Sequence, residues 1–394
     1  MAAITSLEIE GYRAIGEAVR IDGAGAYVAL YGDNAVGKTT VLQAIELVGA
    51  LLSDPTRWMP GREWGELDFY AAFRQDPWMF HHGRDRLRLE ATWSSGACTR
   101  FVLERADGWL RVGADLRFPD AEPAPWEALA TASSTEANRA LFARKAALKQ
   151  HTSPIALTGS PSQPVSDDLR RRFVSALSSP DVQVRKRARR LTGALAGLFP
   201  ALGPGALDVL DNTAQGHPAD LAWVGDRGIV PLDRLGGGVQ SAIATLAQLA
   251  LAGTPIVCMD EPEAFLGQRA LVDLGKLFEQ AVADGICDQV WVATHAVALA
   301  PVDHDVHLFE ERDGRVEARR APRRELARLT PDVDPPHGPT LGRLGVDGSV
   351  RLPPSVREQL GLVVGEPVHF FADGSGVRLV SVDDAERILR GEDG

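Results

Sequence analysis

The apolar residues of this chain fall into short runs that are separated by helical or alternating patterns. Residues 27–31 form a five-residue apolar run that suits a buried parallel strand, and residues 41–48 repeat apolar side chains at helical spacing. Residues 256–259 and 290–293 are two further apolar runs of the same kind. Together these runs predict an α/β fold that is built on buried strands.

Two other segments alternate apolar and polar residues. Residues 4–21 alternate around a central turn, and residues 86–118 alternate with turns at Gly96 and Gly108. This alternation is typical of antiparallel strands with one buried face. We therefore expect a mixed sheet in one large domain, residues 1–325.

Residues 122–200 have a different character, because strand patterning vanishes and Ala, Leu, Arg and Glu dominate. We predict a helical insertion, or lid, over this range. Within it, residues 167–190 hold eight Arg or Lys against three Asp, including the basic stretch 185–190. That stretch is either the solvated face of a helix or a contact for nucleic acid or an acidic partner.

The end of the chain is organised differently from the rest. Residues 330–339 contain four prolines and predict a stiff linker. Residues 340–394 then form a small unit, with a strand-rich part over 341–380 and a short helix over 382–390. We expect this unit to fold as a separate all-β domain.

The first chemical motif is the glycine loop that follows the apolar run 27–31. It reads G-x-x-x-x-G-K-T, and its candidate phosphate ligands are Gly32, Asp33, Asn34, Ala35, Val36, Gly37, Lys38, Thr39 and Thr40. A phosphate-binding loop lies between a strand and a helix. In this arrangement the backbone N–H groups of the loop and the N-terminus of the helix face the bound anion. We expect Lys38 to reach the β- and γ-phosphates of a nucleotide and Thr39 to bind Mg²⁺. The alternative is a glycine turn that binds nothing.

Two polar pairs lie directly after the buried runs 256–259 and 290–293. Asp260 and Glu261 follow the first run, and Thr294 and His295 follow the second. Ligands of open α/β sheets bind at the C-terminal ends of strands, so these side chains belong beside the glycine loop. Asp260 can bind Mg²⁺, Glu261 can polarise a water, and His295 can sense the γ-phosphate.

A second glycine motif, Gly236, Gly237 and Gly238, precedes a helix that we predict over residues 242–251. Glycines at a helix N-terminus form an anion-binding element. Because the first loop already covers one side of a nucleotide, this motif is expected to close over the ATP of a second subunit. The alternative is a simple glycine entry into a helix.

Composition narrows the class of protein. The chain has 394 residues, is 45% hydrophobic and carries a formal net charge of −11. That charge argues against general coating of nucleic acid but permits a local basic patch. We predict a cytoplasmic protein without a membrane span, and its three cysteines have no metal-ligand spacing.

Along the chain the motifs follow in the order glycine loop, second glycine motif, Asp-Glu pair and Thr-His pair. In this order they resemble the ABC-type ATPase heads of the RecF, SMC and OLD group, which are P-loop NTPases. Residues 10–15 are similar to the N-F-R-S turn of these heads, whose basic residue, here Arg13, lies near the nucleotide. Residues 260–266 resemble their D-E-P-E-x-x-L stretch, and residues 294–296 their T-H-S stretch. The resemblance covers roughly residues 1–320.

This resemblance implies a homodimer whose heads sandwich two ATP molecules with Mg²⁺. It also implies the roles of Mg²⁺ ligand for Asp260 and Thr39, general base for Glu261 and γ-phosphate sensor for His295. The family signature usually carries a serine where this chain has Gly236 or Gly237. Gln75 is the candidate for the glutamine that senses Mg²⁺ between the two halves.

Residues 348–370 resemble a second family, the AbrB/MazE swapped-hairpin barrel. They are similar to its G-R-x-x-L-P-x-x-x-R-x-x-L-G-L-x-x-G-D pattern, although Ser349 stands in place of the first arginine. A unit of this size needs a second copy to complete its core. We expect dimerisation through this unit, and the alternative is DNA binding.

The two resemblances imply a Mg²⁺-dependent ATPase that acts in anti-phage defence or DNA maintenance with an effector protein encoded nearby. DNA is a further candidate partner. The alternative is an ATP-gated switch or scaffold that is not an enzyme, or a DNA-binding repressor similar to antitoxins.

Overall fold

The computed structural model describes residues 3–53, 79–106, 109–119, 150–152, 155–158, 167–210, 220–251, 255–301, 306–323, 325–326, 343–344, 350–351, 369–373 and 376–380. The chain divides into two compact units, Met1–Glu325 and Leu326–Gly394. Within the described ranges, no helix is both long enough and apolar enough to cross a membrane.

The first unit contains strands and helices in alternation. Its described strands are β1 (Ile4–Glu10), β2 (Val19–Asp22), β3 (Tyr27–Tyr31), β4 (Arg86–Trp93), β5 (Cys98–Ala106), β6 (Trp109–Arg117), β7 (Ile155–Thr158), β8 (Gly205–Leu210), β9 (Asp220–Gly225), β10 (Gly228–Pro231), β11 (Ile256–Asp260), β12 (Gln289–Thr294), β13 (Val306–Arg312) and β14 (Arg315–Ala321). Its described helices are α1 (Lys38–Ser53), α2 (Asp167–Leu177), α3 (Val182–Gly193), α4 (Leu195–Leu198), α5 (Gly237–Leu251) and α6 (Gln268–Ala283).

The alternating segments form an antiparallel sheet with the strand order β2-β1-β4-β5-β6. Leu7 and Ile9 of β1 and Leu87 and Leu89 of β4 are fully buried, whereas Glu8 between them is only partly covered. Alternate side chains of a strand point to opposite faces of the sheet, so this face packs on the core. The predicted antiparallel strands are confirmed.

The apolar runs form the central sheet, whose strand order is β14-β13-β3-β12-β11-β7. Strands β3, β12, β11 and β7 are parallel, and β14 pairs antiparallel with β13. The sheet is therefore mixed, as expected. Its parallel strands end on one edge, where the loops after β3, β11 and β12 lie.

Two hydrophobic cores lie on opposite faces of the central sheet. Ile256 and Cys258 of β11 pack in a core with α1 and the antiparallel sheet. Val257 and Met259 of the same strand pack in a second core with α2, α3, α5 and α6. Burial on both faces explains why β11 reads as a continuous apolar run rather than an alternating one.

The predicted helical insertion over residues 122–200 is only partly helical in its described residues. Helices α2, α3 and α4 lie in this range, but residues 155–158 form β7, which pairs in parallel with β11. The prediction of a range without strands was therefore wrong. A four-residue strand between proline-containing segments has little local signal, and its pairing with β11 determines its conformation.

The helix after the second glycine motif also differs from the prediction. It begins at Gly237 and not at Ala242, so Gly237 and Gly238 form part of its first turn. Glycine has low helix propensity, which made these residues read as a loop. Nine residues of α5 are buried, seven of them in the second core, and this packing stabilises the helix despite its glycines.

In the second unit, the described residues form two antiparallel strand pairs. Arg343–Leu344 pairs with Val350–Arg351, and His369–Asp373 pairs with Gly376–Val380. The linker 330–339, the short helix predicted over 382–390 and the candidate Gln75 lie outside the described residues. The AbrB-like assignment of residues 340–394 stays a prediction.

Candidate nucleotide-binding site

The glycine loop lies between β3 and α1, at the edge where the parallel strands end. Gly32 has a φ of 155°, and a Cβ at this position would lie 2.4 Å from the backbone oxygen of Phe309 in β13. Gly37 has a φ of 91°, which residues other than glycine rarely adopt. Both glycines of the motif are therefore required by the backbone of the loop.

Between these glycines, Ala35 has a φ of 67°, which is unusual for a residue with a side chain. Asp33, Asn34 and Ala35 are exposed, whereas Val36 is buried. The loop thus places its first residues in solvent and anchors Val36 in the core. Strained backbone held by surrounding packing is common at ligand-binding sites.

Lys38 is buried inside this loop, with only 4% of its surface exposed. Its Nζ donates hydrogen bonds to the backbone oxygens of Gly32 (2.7 Å) and Asp33 (2.6 Å). Burial lowers the pKa of Lys38, and the nearby carboxylates of Glu261 and Glu263 oppose this effect. The ammonium group is therefore held at the centre of the loop, where an anion can meet it.

Thr39 connects the loop with the end of β11. Its Oγ1 lies 3.0 Å from both Oδ1 and Oδ2 of Asp260. Burial raises the pKa of Asp260, and the hydrogen bond from Thr39 opposes that rise. A hydroxyl and a carboxylate are the hard oxygen ligands that Mg²⁺ prefers, so this pair suits the metal that the motif implies.

Glu261 follows Asp260 in a left-handed conformation, with a φ of 47°. Its backbone N–H donates to the oxygen of Ala293 in β12, 2.9 Å away, which fixes the turn after β11 against the neighbouring strand. A positive φ in a glutamate indicates local strain. The chain therefore leaves the extended conformation of β11 at Glu261.

Thr294 and His295 contact Glu263, which sequence reasoning had not assigned to the site. The carboxylate oxygen Oε1 of Glu263 accepts hydrogen bonds from Thr294 Oγ1 (2.6 Å) and from the backbone N–H of His295 (2.8 Å). The same oxygen lies 3.0 Å from Nδ1 of His295. The sequence signal for this contact was the position of Glu263 between Pro262 and Ala264. A glutamate that is buried among apolar residues needs a hydrogen-bond partner.

The second glycine motif lies next to the segment that follows Glu261. A Cβ on Gly238 would lie 2.6 Å from the backbone oxygen of Phe265, whereas Gly236 and Gly237 have open space around them. Phe265 itself has a φ of 65° and is 72% exposed. The N-terminus of α5 and the segment 261–266 therefore form one continuous surface.

Arg13 lies near Thr39 and Thr40, at the end of the glycine loop. It lines a cleft of about 690 Å³ together with Thr39 and Thr40. The other lining residues are Ala14, Gln43, Phe80, His81, His82, Gly83, Arg84, Asp85 and Arg105. Three arginines and two histidines against one aspartate make this cleft suitable for a negatively charged ligand.

The position of Arg13 is fixed by residues that the sequence did not allow us to assign. Its backbone N–H donates to the oxygen of Met79 (3.0 Å), and its backbone oxygen lies 2.8 Å from Nδ1 of His81. Residues 63–85 are rich in aromatic residues and hard to assign from their sequence, so the contribution of His81 to the cleft was not predicted.

The basic stretch 185–190 lies in α3, away from the strand ends in sequence. Arg185 donates to the backbone oxygen of Ser179, and Arg190 forms an ion pair with Asp284 (2.5 Å). Lys186 and Arg189 are exposed, and Ala188 is buried in the second core. The first and last residues of the stretch thus bind groups of the same chain, and Lys186 and Arg189 between them face solvent. This arrangement favours the interpretation of the stretch as a solvated helix face.

Comparisons with known proteins identify the fold of the chain. No protein-family model matches the sequence, and no curated protein matches it either. Among solved structures, it is similar to an Smc head bound to the C-winged helix domain of ScpA, with 16% identity, 81% of this chain and 97% of that chain covered, and a TM-score of 0.51. The chain thus has the fold of an SMC head domain, which is an ABC-type ATPase fold.

Two further Smc structures give lower scores. An Smc head domain from Pyrococcus furiosus, with an extended coiled coil and bound to the C-terminal domain of ScpA, has 13% identity, covers 84% of this chain and 98% of its own, and has a TM-score of 0.49. The SMC head domain from Thermotoga maritima has 14% identity, covers 81% of this chain and 98% of its own, and has a TM-score of 0.46.

Proposed function

We propose that this protein binds and hydrolyses ATP with Mg²⁺. The observation that carries the proposal is the contact of Thr39 with Asp260, two residues separated by 221 positions. It joins the phosphate-binding loop to the carboxylate at the end of β11, and these two elements are the parts that nucleotide hydrolysis requires. A glycine turn that binds nothing would not require a contact between Thr39 and Asp260.

Each residue of the site has a distinct part in this proposal. Lys38 and the backbone N–H groups of the glycine loop hold the phosphates, and Thr39 and Asp260 hold the metal. Mg²⁺ supplies positive charge that offsets the charge developing on the phosphates. Glu261 accepts a proton from the attacking water, and His295 donates to the γ-phosphate.

The basic cleft beside the loop suits a negatively charged part of the nucleotide. Arg13 and Thr40 line it, and Thr39 belongs both to this cleft and to the contact with Asp260. A ligand that extends from the metal site along α1 would meet these side chains. Because the charge of the cleft suits an anion, we propose that Arg13 contacts a phosphate of ATP there, beside the metal site.

We further propose that two copies of the chain enclose ATP between them. Gly236 and Gly237 leave the N-terminus of α5 open, so that its backbone N–H groups can approach a phosphate of a second subunit. Phe265 lies on the same surface and is exposed although it is aromatic. An exposed aromatic residue beside a functional site is typical of a contact with a partner.

The cellular role rests on sequence resemblance. Heads of this group and AbrB-like units suggest a regulator that acts with an effector protein encoded nearby, in anti-phage defence or DNA maintenance. The absence of a serine from the signature favours a second candidate, an ATP-gated switch that hydrolyses ATP slowly or not at all. Both candidates bind ATP, and they differ in turnover.

The experiment compares nucleotide binding with turnover in matched variants. Lys38→Ala should lose binding of a fluorescent ATP analogue, because the loop then lacks its central cation. Glu261→Gln should bind normally and hydrolyse ATP about two to four decades more slowly, because the base is absent. Lys276→Ala and Glu279→Gln, both on the exposed face of α6, serve as controls and should behave as the wild type.

The outcome separates the two candidates. The ATPase proposal holds if the wild type binds and hydrolyses ATP and if Glu261→Gln still binds ATP but hydrolyses it far more slowly. If Glu261→Gln hydrolyses ATP at the wild-type rate, the assignment of the base is wrong. Binding without turnover in the wild type supports the switch, and no binding at all excludes both.

A further inference from the structure

Glu263 is a buried carboxylate in the segment between β11 and α6, with only 6% of its surface exposed. One of its oxygens, Oε1, contacts Thr294 Oγ1, the backbone N–H of His295 and Nδ1 of His295. An ionised carboxylate in such a place is costly unless it is hydrogen-bonded. The strand end of β12 supplies these hydrogen bonds, so the two segments fix each other.

The contact with Nδ1 determines how the imidazole of His295 is presented. A carboxylate can only accept a hydrogen bond, so Nδ1 carries the proton and donates it to Glu263. The second ring nitrogen, Nε2, lies on the opposite edge of the imidazole. The side chain of His295 is 56% exposed although Glu263 is buried, so the ring extends outward from its anchored edge.

We propose that Glu263 is a positioning residue that accepts a hydrogen bond from Nδ1 of His295, fixes the orientation of the ring and so turns Nε2 toward the phosphate of a bound nucleotide. This inference rests on the proposed function in its choice of ligand. The positioning itself depends only on contacts within the chain. Thr294 has a supporting part, because its hydroxyl donates to Glu263 and accepts from the backbone N–H of Ala296 (2.9 Å).

The charges around His295 agree with this arrangement. The hydrogen bond to Glu263 raises the pKa of His295, burial opposes the rise, Glu261 adds to it and Lys38 counteracts it. Burial alone would raise the pKa of Glu263, but the hydrogen bonds from His295 and Thr294 hold it below its usual range. A protonated imidazole has an N–H at both nitrogens, so Nε2 can donate to an anion while Nδ1 donates to Glu263.

A purely structural use of Glu263 is the competing explanation. The bonds from Thr294 Oγ1 and from the backbone N–H of His295 would be enough to fix the end of β12. In that case the contact with Nδ1 would be incidental, and the ring of His295 would titrate as an ordinary histidine. The decisive measurement is therefore made on the ring itself.

The first test is nuclear magnetic resonance of the nucleotide-free protein with labelled histidine, in which His295→Gln identifies the signal of His295. In the wild type we expect a proton on Nδ1 of the neutral ring and a pKa above the ordinary value. Glu263→Gln keeps an acceptor oxygen but removes the charge, so the pKa of His295 should fall toward its ordinary value. Glu279→Gln, which changes an exposed glutamate of α6, should leave the pKa of His295 unchanged.

Several results would overturn the proposal. An ordinary pKa or a proton on Nε2 of the neutral ring in the wild type would exclude positioning through Nδ1, and this result needs no variant to fold. An unchanged pKa in a folded Glu263→Gln protein would exclude the charge of Glu263 as its cause. These results do not depend on catalysis, so they remain valid if the protein has no ATPase activity.

The second test connects Glu263 with turnover, where turnover is found. Glu263→Gln and His295→Gln should each lower kcat about tenfold or more, and the double variant should be no worse than the poorer single variant. Residues that act through one another are not additive, whereas independent residues are. Additive losses with an unchanged pH profile would overturn the proposal and leave the ATPase assignment intact.

Discussion

Replacing Gly238 by alanine should disturb the contact between α5 and the segment 261–266, whereas the same change at Gly237 should not. A Cβ on Gly238 would lie 2.6 Å from the backbone oxygen of Phe265, and one on Gly237 would meet nothing within 4 Å. The oxygen is part of the backbone and cannot rotate away. Phe265 already has a φ of 65°, so the segment has little freedom to yield without cost.

The magnitude follows from two opposing effects. Overpacking of this kind costs about 1–3 kcal/mol. Alanine in place of glycine in a helix contributes roughly 1 kcal/mol in the other direction. Gly238→Ala should therefore destabilise the protein by up to about 2 kcal/mol. Gly237→Ala should stabilise it by up to about 1 kcal/mol, because only the second effect applies.

Thermal unfolding without nucleotide measures the difference between the variants. For a unit of this size, 1 kcal/mol corresponds to about 1.5 °C, so the midpoints of the two variants should differ by up to roughly 4 °C. If Gly238→Ala unfolds at or above the temperature of Gly237→Ala, the steric argument is wrong.

The same pair of variants also tests the proposed contact between two subunits. ATP-dependent association, measured by sedimentation, should be weakened in Gly237→Ala although the fold is intact, because a methyl group then blocks the approach of a phosphate to the N-terminus of α5. Normal association and turnover in Gly237→Ala would show that this glycine is only an entry into the helix.

Two further predictions concern the stability of the first unit and dimerisation through the second unit. Gln289→Leu should destabilise the protein by about 3 kcal/mol, because the buried side chain exchanges hydrogen bonds with the backbone N–H and oxygen of Ile4 and donates to the oxygen of Gly25. Denaturant unfolding against exposed Gln280→Leu measures this loss, and equal stability of the two variants would contradict it. Deleting residues 331–394 should convert a permanent dimer into a monomer without ATP, because the AbrB-like unit is expected to pair with its copy. Sedimentation decides this, and a full-length monomer would refute it.

Local sequence was sufficient for the motifs that depend on backbone conformation. The loop with Gly32 and Gly37 could be predicted because its turns require positive φ, which glycine adopts without strain. The buried strands β3, β11 and β12 could be predicted because burial on both faces demands continuous apolar runs. These requirements involve only a few neighbouring residues, so they can be recognised in the sequence.

The strand-end rule predicted that Asp260 and His295 lie beside the glycine loop, but the tertiary structure decided which atoms meet there. Thr39 meets Asp260 across 221 positions, and Glu263 meets Thr294 across 31. The parallel order of β3, β12 and β11 brings their C-terminal ends together, and the sequence of any one segment does not specify its neighbour. For the same reason the contacts of Glu263 with Thr294 and His295 were missed, and so was the contribution of His81 to the basic cleft.

Secondary structure was also decided by packing at two places where local preference pointed elsewhere. Residues 155–158 became β7 because β11 offers an open edge for a parallel partner. Helix α5 extends back to Gly237 because its buried face packs on the second core, and that burial outweighs the poor helix propensity of two glycines. Short segments with weak propensity take the conformation that their neighbours can pair with or bury, and those neighbours are distant in the chain.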